Sequence, residues 1–329
     1  MVIDTHTHFL PLELIELLGQ GAHPGITVLG GGGNGRWLRY ASGIRFPLQP
    51  AFYDTAAKLE HMDASGVDLG LISIAAPLFL YDLDASDTVA LSKVINDAAA
   101  RLADDSGGRL RGMATIPLNA PDEAAAELRR AHETLGLRGV EIGTSVGATM
   151  LDAPEFDPVW TAAAELGVPV FLHPHLSMSG EGRPIGSDRY FMSNSVGNPL
   201  ETHTAAARLI LGGVFDRHPS LTVQLAHGGG ALPYQLARLD RTYALREEVR
   251  EVARKRPLEY VGNFLFDTVV YHDTPLDFLI EFVGVERVVF GTDYPFDMED
   301  LTGLRVGERL DASDAERVLS GNARRAYGL

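Results

Sequence analysis

The chain contains no cysteine. Disulfides, thiol nucleophiles and Cys-based zinc sites are therefore excluded, and any metal site must draw on His, Asp and Glu. Basic residues are scarce: 28 Lys and Arg stand against 44 Asp and Glu, a formal net charge of -16. Such a surface repels nucleic acid and anionic membranes, so neither is an expected partner. A local group of arginines remains free to draw in a small carboxylate. No apolar run approaches the roughly 20 residues that a membrane span needs. Asp4 lies within the first few residues, against a cleaved signal peptide. A cytoplasmic location is expected.

What is present is a 329-residue chain, 45% hydrophobic and 22% charged, enough for a sizeable core. Short apolar stretches alternate with helical periodicity. After Val2-Ile3, strands are expected at 67–75, 111–118, 139–143, 168–172, 221–226, 263–268 and 287–291. Helices are expected at 11–18, 54–64 (ended by Gly66), 87–104 (capped by Ser86), 122–134, 156–166, 200–211, 232–255, 275–282 and 313–319. Eight strands alternating with helices argue a parallel sheet. Eight units of roughly forty residues suit one (β/α)₈ TIM-barrel domain over 1–329, with a doubly wound open sheet as competitor. Two inserted loops interrupt the pattern. The stretch at about 20–50 holds Gly30 to Gly33, Pro47 and Pro50, with Trp37, Tyr40 and Phe46 between, and reads as an irregular but ordered lid. The second, 175–196, is rich in Gly, Ser and Met.

In a barrel, chemistry sits at the carboxyl ends of the strands. His6 and His8 end strand one, and alternate residues of an extended chain share a face. His173 ends strand five, His227 strand six and Asp293 strand eight. His175 and His272 lie just past strands five and seven, within reach of the same rim. His61 and His132 fall on helices as surface residues, His203 is helical, His23 sits in the glycine-rich loop, and His218 precedes strand six at the opposite rim. Three imidazoles and a carboxylate suffice to hold Zn²⁺ while leaving a position for water or substrate, and such water has a pKa of about 7. Four histidines and one aspartate are on offer, so one histidine is left as general base. Spacing does not say which.

The segments IDTHTH, FLHP, LAHGGG and GTDYPF, in this order, resemble the amidohydrolase superfamily. They are most similar to its decarboxylase branch, typified by 2-amino-3-carboxymuconate 6-semialdehyde decarboxylase. RGVEIGT, LGGVFDRHPSL and AHGGGALPYQLARLD extend the likeness over nearly the whole chain. The resemblance implies that His6, His8, His173 and Asp293 hold one Zn²⁺ per subunit, with Mn²⁺ as the other N/O-compatible ion. It makes His227 the base beside the metal water, with Asp293 also part of the catalytic set. Glu141 and Ile142 stand where many relatives carry a bridging lysine, which favours a mononuclear site. Arg238 matches an arginine that reaches into a neighbouring subunit's site, implying a homodimer. Arg45 is the candidate for a lid-loop arginine, although Gln49 aligns there without a gap. Phe296 and Trp37 are candidate pocket walls. The implied activity is non-oxidative decarboxylation of a conjugated or aromatic carboxylic acid. The alternatives are a hydrolase or hydratase using the same metal centre, and a metal-binding protein without catalysis. A spare base speaks against the last.

Overall fold

β1 (Ile3–Phe9) opens the chain, and every one of its residues is buried. A small antiparallel sheet follows: β2 (Ile26–Gly30), β3 (Arg36–Tyr40) and β4 (Arg45–Leu48). Next come β5 (Leu69–Ile74), β6 (Leu110–Thr115) and β7 (Gly139–Gly143), then the short hairpin of β8 (Ser145–Val146) and β9 (Thr149–Met150). β10 (Val170–His173), β11 (Val223–Leu225), β12 (Phe264–Asp267) and β13 (Val288–Val289) complete the strands. The computed structural model describes residues 1–30, 35–41, 43, 45–175 and 189–329. Glycines 31–33 of the first inserted loop and residues 176–188 of the second lie outside the described residues.

Eight strands form one parallel sheet in the order β1-β5-β6-β7-β10-β11-β12-β13. The two edges meet. Thr5 N–H donates to the Phe290 carbonyl at 2.9 Å and His8 N–H to that of Tyr294 at 2.7 Å. The sheet therefore closes into the expected (β/α)₈ barrel, and the open-sheet alternative falls. Strands so enclosed are covered on both faces, which is why they read as continuous apolar runs. The lower interior is filled by Ile3, Leu71, Met113 and Phe171 with Tyr327 of the last helix. The Tyr327 hydroxyl donates to Gln224 Oε1 at 2.7 Å, so the plug is polar-satisfied as well as packed.

Three expectations need correction. The 20–50 stretch is not irregular. β2, β3 and β4 give it one buried face (Ile26, Leu38, Tyr40, Phe46, Leu48) and one exposed face (Trp37, Arg39, Arg45). Interspersed Gly and Pro hide that period-2 alternation in the sequence. The helix Ala85–Asp105 starts after Asp84, whose carbonyl accepts from Asp87 and Thr88, so Ser86 lies inside the first turn. The helix expected over 232–255 ends at Leu245. Arg246 is extended there, and the Arg250 guanidinium donates to the carbonyls of Tyr243 and Ala244. Elsewhere boundaries shift by a few residues. Asp54 caps Thr55–Ser65 by accepting from Ala56 and Ala57, and Gly66 ends it at φ +75°, as its missing Cβ permits.

Candidate metal centre

The carboxyl rim of the barrel gathers all five side chains singled out by sequence. The His6 ring centroid lies 5.0 Å from that of His8, 5.1 Å from His173 and 5.4 Å from His227, and His173 lies 5.1 Å from His227. Asp293 stands in their midst. Its Oδ1 is 3.1 Å from His8 Nε2 and 3.2 Å from His6 Nε2, and its Oδ2 is 3.3 Å from His227 Nε2. The backbone prepares this. Asp293 N–H donates to the His6 carbonyl at 2.8 Å, and Thr292 Oγ1 donates to Asp4 Oδ2 at 2.6 Å. Asp293 and His227 both adopt left-handed φ, +65° and +56°, a strained state that surrounding bonds must hold.

Three of the imidazoles are anchored through Nδ1. His6 Nδ1 meets Asp267 Oδ2 at 2.6 Å, His8 Nδ1 the Ile74 carbonyl at 3.1 Å, and His173 Nδ1 the Pro174 carbonyl at 2.8 Å. A carboxylate or carbonyl behind Nδ1 fixes the tautomer that leaves Nε2 as a lone-pair donor, the arrangement typical of metal-binding histidines. Among the described residues, the Nε2 atoms of His6 and His173 are buried without a partner in hydrogen-bonding geometry. Buried polar atoms rarely stay unpaired, so these two mark a place prepared for something else. His227 differs. Its Nδ1 has no partner among the described residues.

Among the described residues, two sets of side chains have ligand atoms mutually within 4.8 Å: His6, His173, His227 and Asp293, and His8, Glu141 and His173. All donors are N or O, a set suited to Zn²⁺ or Mn²⁺. Electrostatics agrees. Burial pushes His173 well below the usual imidazole range and His8 down to about 4, leaving both neutral. Burial would also lower His6, but Asp293 and Asp267 outweigh it and raise it to about 10. Burial opposes the Asp293 charge, yet His6, with bonds from His227 and His8, holds its carboxyl well below normal. A proton on His6 thus stands between two carboxylates, where a cation is the alternative counter-charge.

Sequence reasoning passed over Asp267. This fully buried carboxylate ends β12. It takes His6 Nδ1 and His227 N–H on Oδ2, and the N–H groups of Gly228 and Val269 on Oδ1. Scanning strand ends for carboxylates as well as histidines finds it. Glu141 ends up buried beside His8, 3.8 Å from Nδ1, and burial holds its carboxyl well above the normal range.

The outer candidates divide. Phe296 is at the site, its ring 5.1 Å from His8 and 5.3 Å from both Phe46 and Phe52. Arg45 and Trp37 are not brought to it. Both lie on the exposed face of the lid sheet, and Gln49 is exposed as well. Arg238 is exposed on the helix Leu232–Leu245, with no side-chain partner among the described residues. His272 caps the helix Asp273–Val283, its Nδ1 accepting from Thr274 N–H. His61 is half-buried rather than on the surface, stacked 3.7 Å from Tyr294 and paired with Glu299.

A closed parallel barrel with an imidazole–carboxylate cluster at its carboxyl rim defines a metal-centre enzyme scaffold. The chain belongs to the amidohydrolase family, whose model matches residues 3–329. It is 30% identical to the 2-amino-3-carboxymuconate-6-semialdehyde decarboxylase of Dictyostelium discoideum, over 99% of this chain and 91% of that one. It is also 30% identical to the gamma-resorcylate decarboxylase of Rhizobium sp. (strain MTP-10005), over 84% and 87%. The crystal structure of 5-carboxyvanillate decarboxylase from Sphingomonas paucimobilis superposes with a TM-score of 0.83 at 26% identity, covering 100% and 99%. The likeness read from the sequence motifs is borne out. No described helix is long and apolar enough to cross a membrane.

Proposed function

We propose that the protein is a divalent-cation-dependent, non-oxidative decarboxylase of a conjugated or aromatic carboxylic acid. The observation that carries this is the division among four clustered histidines: three anchored through Nδ1, one not. His6, His8 and His173, with Asp293, would hold a single Zn²⁺ or Mn²⁺. When bound, the cation supplies Lewis-acid polarisation of the substrate's oxygens.

His227 has the freedom a proton carrier needs. Among the described residues its Nε2 is tied only to Asp293 Oδ2 at 3.3 Å, and its side chain is 12% exposed where those of His6 and His8 are 0%. It delivers a proton to the carbon bearing the carboxylate. The bond to CO₂ then breaks, its electron pair returns to the conjugated system, and CO₂ leaves. Solvent water returns the proton to the partly exposed His227, while the ionised Asp293 carboxylate holds its Nε2 in place. Phe296, Phe46 and Phe52 supply an apolar wall that keeps water off the reacting carbon. Arg238 reaches the site of a second copy in a homodimer, where it meets the substrate carboxylate. Arg45 and Trp37 reach the substrate only if the lid sheet turns its exposed face inward.

The test is direct. Metal-loaded protein is incubated with 2,6-dihydroxybenzoate, 5-carboxyvanillate and 6-methylsalicylate while CO₂ release is measured. Release of one CO₂ per acid consumed is expected with at least one of them. Consumption with water added and no CO₂ would overturn decarboxylation in favour of hydration or hydrolysis.

A further inference from the structure

The mechanism leaves a second group of polar side chains at the barrel mouth unused. β10 and β7 pair in register with His173 opposite Gly143. Glu141, two residues before Gly143, points inward beside His8. A side chain at 143 would point the same way, because alternate residues of a strand share a face. That place is taken by the His175 ring: a Cβ on Gly143 would sit 2.6 Å from His175 Cε1 and Nδ1 and 3.1 Å from Tyr81 Cε2. Glycine is needed here for close approach. His175 therefore lies inside the mouth, two residues further out than Glu141, roughly 6–7 Å along the strand.

The hydrogen bonds fix what this group offers. Thr144 N–H donates to His175 Nδ1 at 3.4 Å, so the ring proton sits on Nε2. Gly143 N–H donates to the Tyr81 hydroxyl at 3.2 Å, so that hydroxyl keeps its own proton to give. Neither the His175 Nε2–H nor the Tyr81 O–H finds an acceptor among the described residues. The two rings are 5.8 Å apart, with Phe79 stacked on Tyr81 and edge-on to His175. Both donors are held rigidly. The His175 backbone N–H and Thr144 Oγ1 both bond to Glu201 Oε2, at 3.0 and 3.1 Å.

We propose that Tyr81 and His175 form a subsite that donates hydrogen bonds to a second, uncharged oxygen of the substrate, such as a ring hydroxyl. The O–H and N–H donors supply no counter-charge for a second carboxylate, so a hydroxy acid is favoured over a diacid. The mouth then has an apolar side (Phe296, Phe46, Phe52) and a donor side. This rests on the carboxylate-substrate reading above, and it concerns recognition rather than bond breaking.

The experiment is a binding comparison on zinc-loaded protein by isothermal titration calorimetry. The probes are 2-nitrophenol, the nitrophenols carrying a second hydroxyl at each remaining ring position, and their carboxylated counterparts. The nitro group stands in for the reacting carboxylate. At least one dihydroxy probe is expected to bind about tenfold more tightly than 2-nitrophenol, the worth of one good hydrogen bond, and no carboxylated probe to match it. In Tyr81→Phe and in His175→Phe the preference falls to about twofold or less. His175→Asn, which keeps an acceptor and a donor, restores it. If His175→Phe does not fold, Tyr81→Phe and His175→Asn still decide the matter. Absence of preference or of binding in the wild type, a preference that survives both replacements, or tighter binding of a carboxylated probe overturns the subsite. Discrimination without CO₂ release from any acid would overturn decarboxylation and leave the subsite standing.

Discussion

Replacing Asp267 by Asn tests whether the cluster is organised from behind. The carboxylate uses both oxygens fully: Oδ2 takes His6 Nδ1 at 2.6 Å and His227 N–H at 3.0 Å, and Oδ1 takes the N–H groups of Gly228 at 2.7 Å and Val269 at 3.1 Å. Asparagine keeps the shape but turns one oxygen into a donor. If the amide nitrogen faces Gly228 and Val269, two backbone bonds are lost. If it faces His6, the imidazole must accept at Nδ1, its proton moves to Nε2, and the metal-facing lone pair disappears. Either choice costs about two hydrogen bonds to a charged group, about 3–6 kcal/mol of stability at a fully buried position. Losing the partner behind a metal-binding histidine typically lowers metal affinity by about 10- to 100-fold. Zinc affinity measured by competition with a chromophoric chelator, beside a thermal melt, reads both effects. Wild-type affinity together with an unchanged Tm in Asp267→Asn would refute the reasoning.

Three further outcomes follow from the same geometry. His227→Ala should keep its metal, measured by elemental analysis, while turnover falls by about 10²- to 10⁴-fold, the usual worth of a general acid–base; loss of metal instead would make His227 a ligand. Metal-free protein should hold a proton on His6, raised to about 10 by Asp293 and Asp267. Its contribution to stability is then complete below the unfolded imidazole pKa of about 6.5 and is lost as pH rises toward 10; a melt series on stripped protein checks this, and calorimetry at pH 8 should find about one proton released per metal bound. Arg238→Ala and His227→Ala should each be nearly inactive alone yet regain activity when unfolded and refolded together, because a mixed dimer would carry one intact site; no recovery would place Arg238 outside the partner's site.

The barrel was legible because its strands are enclosed and its helices amphipathic, so burial writes itself into periodicity. The five rim residues were legible because each falls where an apolar run stops. Asp267 follows the same rule, and went unnoticed only because it sits in an FDT segment without a histidine. The lid sheet was not legible for a different reason. Leu38, Tyr40, Phe46 and Leu48 alternate properly, but their pairing spans turns of Gly and Pro that locally imitate disorder. Nor could spacing assign roles among four histidines. That depends on what lies behind each Nδ1: Asp267, the Ile74 carbonyl, the Pro174 carbonyl or nothing. Such partners come from other strands.

Closure of the barrel between β1 and the segment after β13 joins His8 to Asp293 across 285 residues of sequence. During synthesis His6 and His8 emerge first and wait for their carboxylate while nearly the whole polypeptide is made, roughly 15–60 s at ordinary ribosome speeds. A nascent chain thus has no complete grip on a cation. Loading of the full ligand set is postponed until translation is essentially finished, and a prematurely terminated product that lacks Asp293 would lack one of the four proposed ligands.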